Sequence, residues 1–471
     1  MNTRHRLFLI PWILLSLVAC DDGGSKTGFN SNNVNNTNNT NNTNNANNIN
    51  NANNVNNTQM AIIRGRVWSP GSDDPLVNDN NRMPVPGALV AIYTSGVTPP
   101  PDGNYCNECV ELPEGLPHVF TDADGAFEIL IYPNQTYNLL VQKGEFRRVT
   151  QINVGGPGEV MDLNSPAGMP SNTMTTLPNL HDPGQGAWMP RIAVIKGGYE
   201  DMSLMFEALG FDYDGARVIE VDPAADIMHP FDPSEADELL ANPTELAKYN
   251  IIVITCGGST NALTEGTEAS NLREWVRAGG KLYVDDFSYD WAEQNWPEFL
   301  SYYQEQGSQG ADGMGVCGDD DPSSLGVCNN WTSYSCTGTP QDQMLTDWLA
   351  LTEVNRGSPI HLEAAWDIIH ELGKGPIGEC EDDINPDCID GVFYALPKVW
   401  MRGDAPANHS NNPMTVSWNY YCGKILYTVY HTHSESGGST DPKQYQLLIQ
   451  EKIMMFLIME IQTCTKPNII G

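Results

Sequence analysis

Five short strand-like runs in the second half of the chain constrain its fold more than any other feature. They are residues 192–195, 217–221, 251–255, 281–284 and 424–430. Between them lie stretches with helical patterning, at residues 200–209, 233–248 and 264–278, and a long amphipathic stretch, 443–461, follows the last. Continuous apolar strands that alternate with helices bury both sheet faces. The pattern therefore predicts a parallel sheet between helical layers, a three-layer α/β domain over residues 191–464. Ligands of such sheets bind beyond the carboxyl ends of the strands. That rule gathers Lys196, Gly197, Cys256, Gly257, Gly258, Asp285, Asp286, His431 and His433 at one edge, with Glu435 just past it. In an extended segment side chains at i and i+2 share a face, so His431 and His433 can face the cleft together and Asp285 and Asp286 cannot.

The start of the chain has a different logic. Arg4, His5 and Arg6 precede an apolar run from Leu7 to Val18, which ends in Ala19-Cys20 and is followed by Asp21, Asp22 and two glycines. The run is too short to span a bilayer as a helix and has the charge layout of a secretory signal. A small residue directly before a cysteine resembles the lipobox of bacterial lipoproteins. The resemblance implies a signal peptide over 1–19, cleavage before Cys20, acylation of Cys20 (palmitate among the acyl groups) and anchoring in the cell envelope. Each buried CH₂ of an acyl chain adds roughly 0.8 kcal/mol of membrane affinity, so several chains on one residue hold firmly. Asn32 to Thr58 is a series of Asn-Asn-x triplets with too little apolar surface to offset its ordering entropy, so residues 20–58 form a disordered tether. As a coil of about 38 residues it reaches roughly 35 Å.

A formal net charge of −35 makes nucleic acid and anionic headgroups poor partners for the folded part. Ten cysteines besides Cys20 fit an oxidising compartment. Cys106-Asn-Glu-Cys109 reads as a short disulfide, since no second CxxC or histidine stands nearby to complete a zinc site. Cys380 and Cys388 read as a bridged loop, in preference to a calcium loop at Asp383–Asp387, because a cysteine stands where an EF-hand needs glycine. A helix that follows a strand runs back toward that strand's start, which brings Cys464 near Cys422 and predicts a bridge between them. Pairing of Cys256, Cys317, Cys328 and Cys336 stays open.

Residues 59–155 read as short strands between turn signals, a small antiparallel β-sandwich. Val85-Pro86-Gly87-Ala88-Leu89-Val90 and Thr121-Asp122-Ala123-Asp124-Gly125-Ala126-Phe127 resemble the carboxypeptidase regulatory-like (prealbumin-like) domains, which are spacer and binding modules. Asp122 and Asp124 read as turn residues, because nothing nearby supplies the six or more oxygens of a calcium site. Residues 156–190, rich in Pro, Gly, Ser and Asn, read as a linker.

Ile252–Gly258, Leu272–Asp286 and Val416 through Gly423–Thr428 to His431 resemble the class I glutamine amidotransferase-like superfamily, a flavodoxin-like architecture, and its trehalose-utilisation-type branch in particular. Residues 302–340 read as a cysteine-bearing insertion. The resemblance implies a nucleophilic cysteine at position 286 and a glutamate two residues after His431. Asp286 and His433 stand there instead, which argues against glutamine hydrolysis. Cys256 reads as a small buried cysteine at a strand end. His361 and His370, on or near an expected helix, read as surface residues. The expected function is a non-catalytic, envelope-anchored binding or scaffolding protein, with no cofactor and with a carbohydrate, cell-wall or protein ligand. Trp275, Trp291, Trp296, Trp331 and Trp418 are candidates for sugar stacking. The alternative is an envelope hydrolase or isomerase acting on sugars, with Asp286 and His431 as acid and base and His431, His433 and Asp286 as weak metal ligands. Cys20→Ser is expected to move the protein from the membrane fraction to the soluble fraction. Unchanged fractionation would count against the lipid anchor.

Overall fold

A computed structural model describes residues 60–70, 82–107, 112–163, 174–195, 197, 202–209, 211, 218–221, 235–256, 267–302, 334–351, 360–365, 367–380, 385–405, 409–431 and 449–464. The leader, Cys20 and the Asn-rich segment lie outside the described residues. So do Lys196, Gly257, Gly258, His433, Glu435 and most of the expected 302–340 insertion.

The first part holds β1 (Ala61–Arg66), β2 (Leu89–Tyr93), β3 (His118–Phe120), β4 (Ala126–Ile131), β5 (Gln135–Lys143), β6 (Phe146–Val154), β7 (Val160–Asp162) and β8 (Ala187–Trp188). They form a three-stranded sheet in the order β4-β1-β7 and a five-stranded sheet in the order β3-β2-β5-β6-β8. Period-two alternation sets the inner face. In β4, Phe127, Ile129 and Ile131 are buried while Glu128 and Leu130 are exposed. Ile63 and Ile129 of one sheet share a core with Val90, Leu139 and Val141 of the other. Residues 156–190, expected as a linker, contribute β7 beside β1 and β8 beside β6. The turn before β4 uses its carboxylates internally. Asp122 Oδ1 accepts from the amides of Asp124 (3.2 Å) and Ala126 (2.9 Å), and Asp124 pairs with Arg66.

The second part adds β9 (Ile192–Ile195), β10 (Val218–Val221), β11 (Ile251–Ile254), β12 (Lys281–Asp285), β13 (Leu300–Tyr302), β14 (Tyr334–Pro340), β15 (Ile360–Ala365), β16 (Ile369–Leu372), β17 (Gly375–Glu379), β18 (Cys388–Ile389), β19 (Val392–Ala395), β20 (Lys398–Ala405), β21 (His409–Tyr420) and β22 (Gly423–Thr428). Nine of these make one sheet in the order β10-β9-β11-β12-β22-β21-β20-β14-β15. β10, β9, β11, β12 and β22 pair in parallel. The sheet is not parallel throughout, however. From β22 outward, β21, β20, β14 and β15 continue it antiparallel. The end of the expected insertion, Tyr334–Pro340, is therefore an integral strand, and the molecule is β-rich with several sheets. β14 escapes an apolar-run reading because it buries one face only, as its alternation shows. His361 and His370 sit in β15 and β16, not near a helix.

The amino edge of the parallel strands is capped by the first part. The β5–β6 turn, Lys143-Gly144-Glu145, meets the end of the last helix, Ile449–Ile461. Gly144 has φ 56°, and a Cβ there would stand 2.5 Å from Gln462 Cβ, so both backbone and space require glycine. Lys143 Nζ pairs with Glu460 Oε1 at 2.6 Å. At the foot of β12, buried Lys281 donates to the carbonyls of Gly279 (2.6 Å) and Cys422 (3.1 Å). Asn104 reaches across as well, its amide to Ala247 O and its side chain to Trp275 O.

That close approach carries Cys106 to Cys422, with S–S 2.00 Å and Cα–Cα 5.0 Å. Neither Cys106–Cys109 nor Cys422–Cys464 forms. The loop around residue 106 lies on the sheet's edge, so its cysteine finds a partner far along the chain and not three residues away. Cys464 does lie near the start of β22, as Lys424 Nζ donates to Thr463 O at 2.9 Å, but its disulfide partner lies outside the described residues. Cys380 and Cys388 are bridged, while Cys256 and Cys336 are buried thiols outside any disulfide.

Burial pushes Glu145 up to about 7, an effect that the charge of Lys281 opposes, and burial draws Lys281 down to about 8. A carboxyl whose folded pKa is raised binds more protons in the folded state, so its contribution to stability falls as pH rises from about 4.5 to about 7. Glu145→Gln removes that loss. Its Tm relative to the parent is expected to become more favourable from pH 5 to pH 8. A difference that stays flat or shrinks in thermal unfolding would contradict this assignment.

Candidate functional site

Register builds the site at the carboxyl edge of the parallel strands. β11 and β12 pair with Ile251 opposite Lys281 and Ile254 opposite Val284. Two residues further on, the same offset sets Cys256 beside Asp286. β22 pairs with β12 through Asp285 opposite Thr428, and the chain continues to His431 close beyond. The backbone turns sharply at this edge. Asp286 has φ 39° and opens a short 3-10 turn, Asp286–Ser288. Aspartate tolerates this left-handed region better than most residues. The turn also separates the two carboxylates, because Asp285 ends the strand in extended conformation and Asp286 leaves it.

Three side chains converge there. His431 Nε2 lies 3.0 Å from Asp286 Oδ2 and 2.8 Å from Cys256 Sγ, and Sγ is 3.9 Å from the same carboxylate oxygen. All three residues are closed to solvent, at 0 % exposure for Asp286, 1 % for Cys256 and 3 % for His431. Supporting contacts fix them from behind. Tyr427 Oη lies 3.1 Å from the carbonyl oxygen of Asp286 and 2.8 Å from Asp367 Oδ2, its one proton shared between them, and Tyr334 donates to Asp367 O at 2.7 Å. Gln450 Nε2 donates to the carbonyl of His431 and to Glu363 O. Ser288 donates to Thr255 O at 2.6 Å, and Thr255 Oγ1 accepts from Gly197 N at 2.6 Å. Gly197 comes so close to this turn that a Cβ would fall 1.8 Å from Cys256 O.

The structure thus brings together Cys256, Asp286 and His431, with Gly197 against the backbone beneath Cys256. Asp285 is buried at the end of β12. Cys256 is more than a packing residue, because its sulfur faces the imidazole. Asp367, Tyr427 and Gln450 had no signal in the sequence. Tyr427 looks like any core tyrosine of a buried strand, and Asp367 follows a strand that periodicity does not reveal. The aromatic residues are a correction. Trp275, Trp291, Trp296 and Trp418 are buried at 4 % exposure or less, so they pack the core and are not available to stack on a sugar.

The arrangement differs from a nucleophile–base–orienter relay. In a relay the acid holds one ring nitrogen and the nucleophile meets the other. Here carboxylate and thiol meet the same nitrogen. A ring nitrogen carries one proton at most, so it cannot serve both as ordinary two-centre hydrogen bonds.

No family model matches the chain, and no curated protein matches it. Solved structures similar to it include a ThuA-like protein from Parabacteroides merdae, at 14 % identity over 60 % of this chain and 92 % of that one, with a TM-score of 0.30. A ThuA-like protein from Bacteroides uniformis matches at 12 % identity over 54 % and 87 % of the two chains, with a TM-score of 0.27. A GH42 β-galactosidase, Gan42B, matches at 10 % identity over 61 % of this chain and 32 % of that one, with a TM-score of 0.26. Likeness at this level says nothing of chemistry, which has to come from the side chains.

Replacing Asp286 by alanine leaves a buried imidazole without its carboxylate and forces a side chain ill suited to φ 39°. The expected cost is about 2–4 kcal/mol in chemical denaturation. Asp286→Asn keeps both an acceptor and tolerance of the left-handed backbone, so it is expected to cost about half as much. Equal midpoints for the alanine variant and the parent would refute this account of the turn.

Proposed function

We propose that the chain is an exported lipoprotein, anchored through Cys20, that binds or scaffolds a component of the cell envelope and does not turn it over. The first part would be a prealbumin-like β-sandwich, and the second an amidotransferase-like domain that has lost its catalysis. One observation carries the reading: position 286, where that superfamily keeps an accessible nucleophile, holds a fully buried aspartate tied to His431. An acid and a base shut away from solvent can order a sheet edge, but they cannot meet a substrate. Because Trp275, Trp291, Trp296 and Trp418 belong to the core, the ligand class this reading favours is an envelope protein or cell-wall polymer contacted over a surface, in preference to a stacked sugar.

The 3.0 Å contact between Asp286 and His431 supports the second reading, an envelope hydrolase or isomerase acting on sugars in which the pair transfers protons. The two separate in one experiment. The full chain carrying Cys20→Ser is mixed with isolated cell-wall sacculi and envelope protein, sedimented, and assayed in parallel on chromogenic glycosides. The binding reading expects co-sedimentation without turnover. Turnover that disappears in Asp286→Asn would establish the enzyme, and neither binding nor turnover would defeat both.

A further inference from the structure

We propose that Cys256, Asp286 and His431 form a binding site for a borderline-soft divalent cation, zinc above all. Their ligand atoms lie within 4.8 Å of one another, and all three residues are buried. The donor set is a thiolate, an imidazole nitrogen and a carboxylate oxygen, the three protein ligands that zinc takes. Separations of 2.8, 3.0 and 3.9 Å define a triangle with a point roughly 2 Å from each corner, and zinc bonds to N, O and S run about 2.0–2.3 Å. That point lies in the plane of the three atoms, and tetrahedral zinc holds its ligand atoms roughly 3.3–3.6 Å apart, so loading opens the two contacts to Nε2 by roughly half an ångström.

Protonation chemistry points the same way. The ring nitrogen faces a thiol and a carboxylate at once, and the thiol also reaches that carboxylate at 3.9 Å. A cation takes a lone pair from each of the three groups, every ligand binding deprotonated. Tyr427 holds the Asp286 carbonyl and Gln450 holds the His431 carbonyl, so the two residues enter the site from anchored backbone. Cys256 is set by strand register. Softness selects among metals: a thiolate disfavours magnesium and calcium, which prefer all-oxygen sites.

This inference stands apart from the binding reading, because metal content is measured without any partner. The full chain, extracted in detergent from cells grown with zinc, is analysed for metal. It is then stripped with chelator and titrated with cobalt(II), whose thiolate complexes absorb strongly in the near ultraviolet. The expected result is about one zinc per chain, and a cobalt–thiolate band that is lost in Cys256→Ser and kept in Cys336→Ser, the control at the other thiol outside any disulfide. Changing a supporting residue of a metal site costs 10–100-fold in affinity, so loss of a ligand in His431→Gln is expected to cost about a hundredfold or more. Circular dichroism of each variant confirms folding, and if Cys256→Ser does not fold, His431→Gln and Asp286→Asn decide. No stoichiometric metal, or a thiolate band that survives at Cys256→Ser or His431→Gln, overturns the proposal.

Discussion

In-register parallel pairing of β11, β12 and β22 is the constraint from which the rest follows. One offset between β11 and β12 sets Cys256 level with Asp286, and the next brings His431 to them. A slip of one residue would turn alternate side chains to the opposite face and scatter the cluster. Register is secure here because these strands are buried on both faces. Every residue of β9, β11 and β12 is shielded from solvent, so any shifted pairing would drive polar neighbours into the core. The polar group at one edge is thus maintained by apolar packing along the whole strand length.

The opposite edge follows a different principle. Charges are buried there in quantity: Lys143 with Glu460, and Glu145 near Lys281. Burying an ion pair gains little stability over apolar packing, but breaking one is costly. Such groups define a single way for the β5–β6 turn to enter, in a place where apolar contacts alone would tolerate sliding. One continuous core joins the two parts, running from Ala61 to Ile461. The carboxyl edge gathers Cys256, Asp286 and His431, and the amino edge carries the contact between the two parts.

Much of this was legible in the sequence, for physical reasons. The parallel strands announce themselves because a strand buried on both faces must be apolar at every position, as Ile251–Ile254 is. The rule that ligands gather at strand carboxyl ends then located Cys256, Asp286 and His431 before any coordinates. The antiparallel half was hidden, since half-exposed strands such as β14 carry polar residues at alternate positions and resemble loops. The role of Cys256 was hidden too. A cysteine at a strand end looks the same whether it only packs or also meets a polar partner, and only the distance to an imidazole 175 positions later, just past β22, tells the two apart. Cys380 and Cys388 pair as their spacing suggests, but the two expected bridges at Cys106 and Cys422 fail for a related reason. Spacing favours near neighbours, whereas Cys106 is delivered to Cys422 by docking of the first part, which no local pattern encodes.

That bridge has a mechanical consequence. Cys106 and Cys422 are 316 positions apart, yet they are joined by one covalent link at the amino edge of the nine-stranded sheet. A pull applied to the chain ahead of residue 106 reaches the second part through sulfur, bypassing the hydrogen bonds and ion pairs of the docking surface. The two parts cannot be peeled from each other by such a load unless the bridge is first reduced.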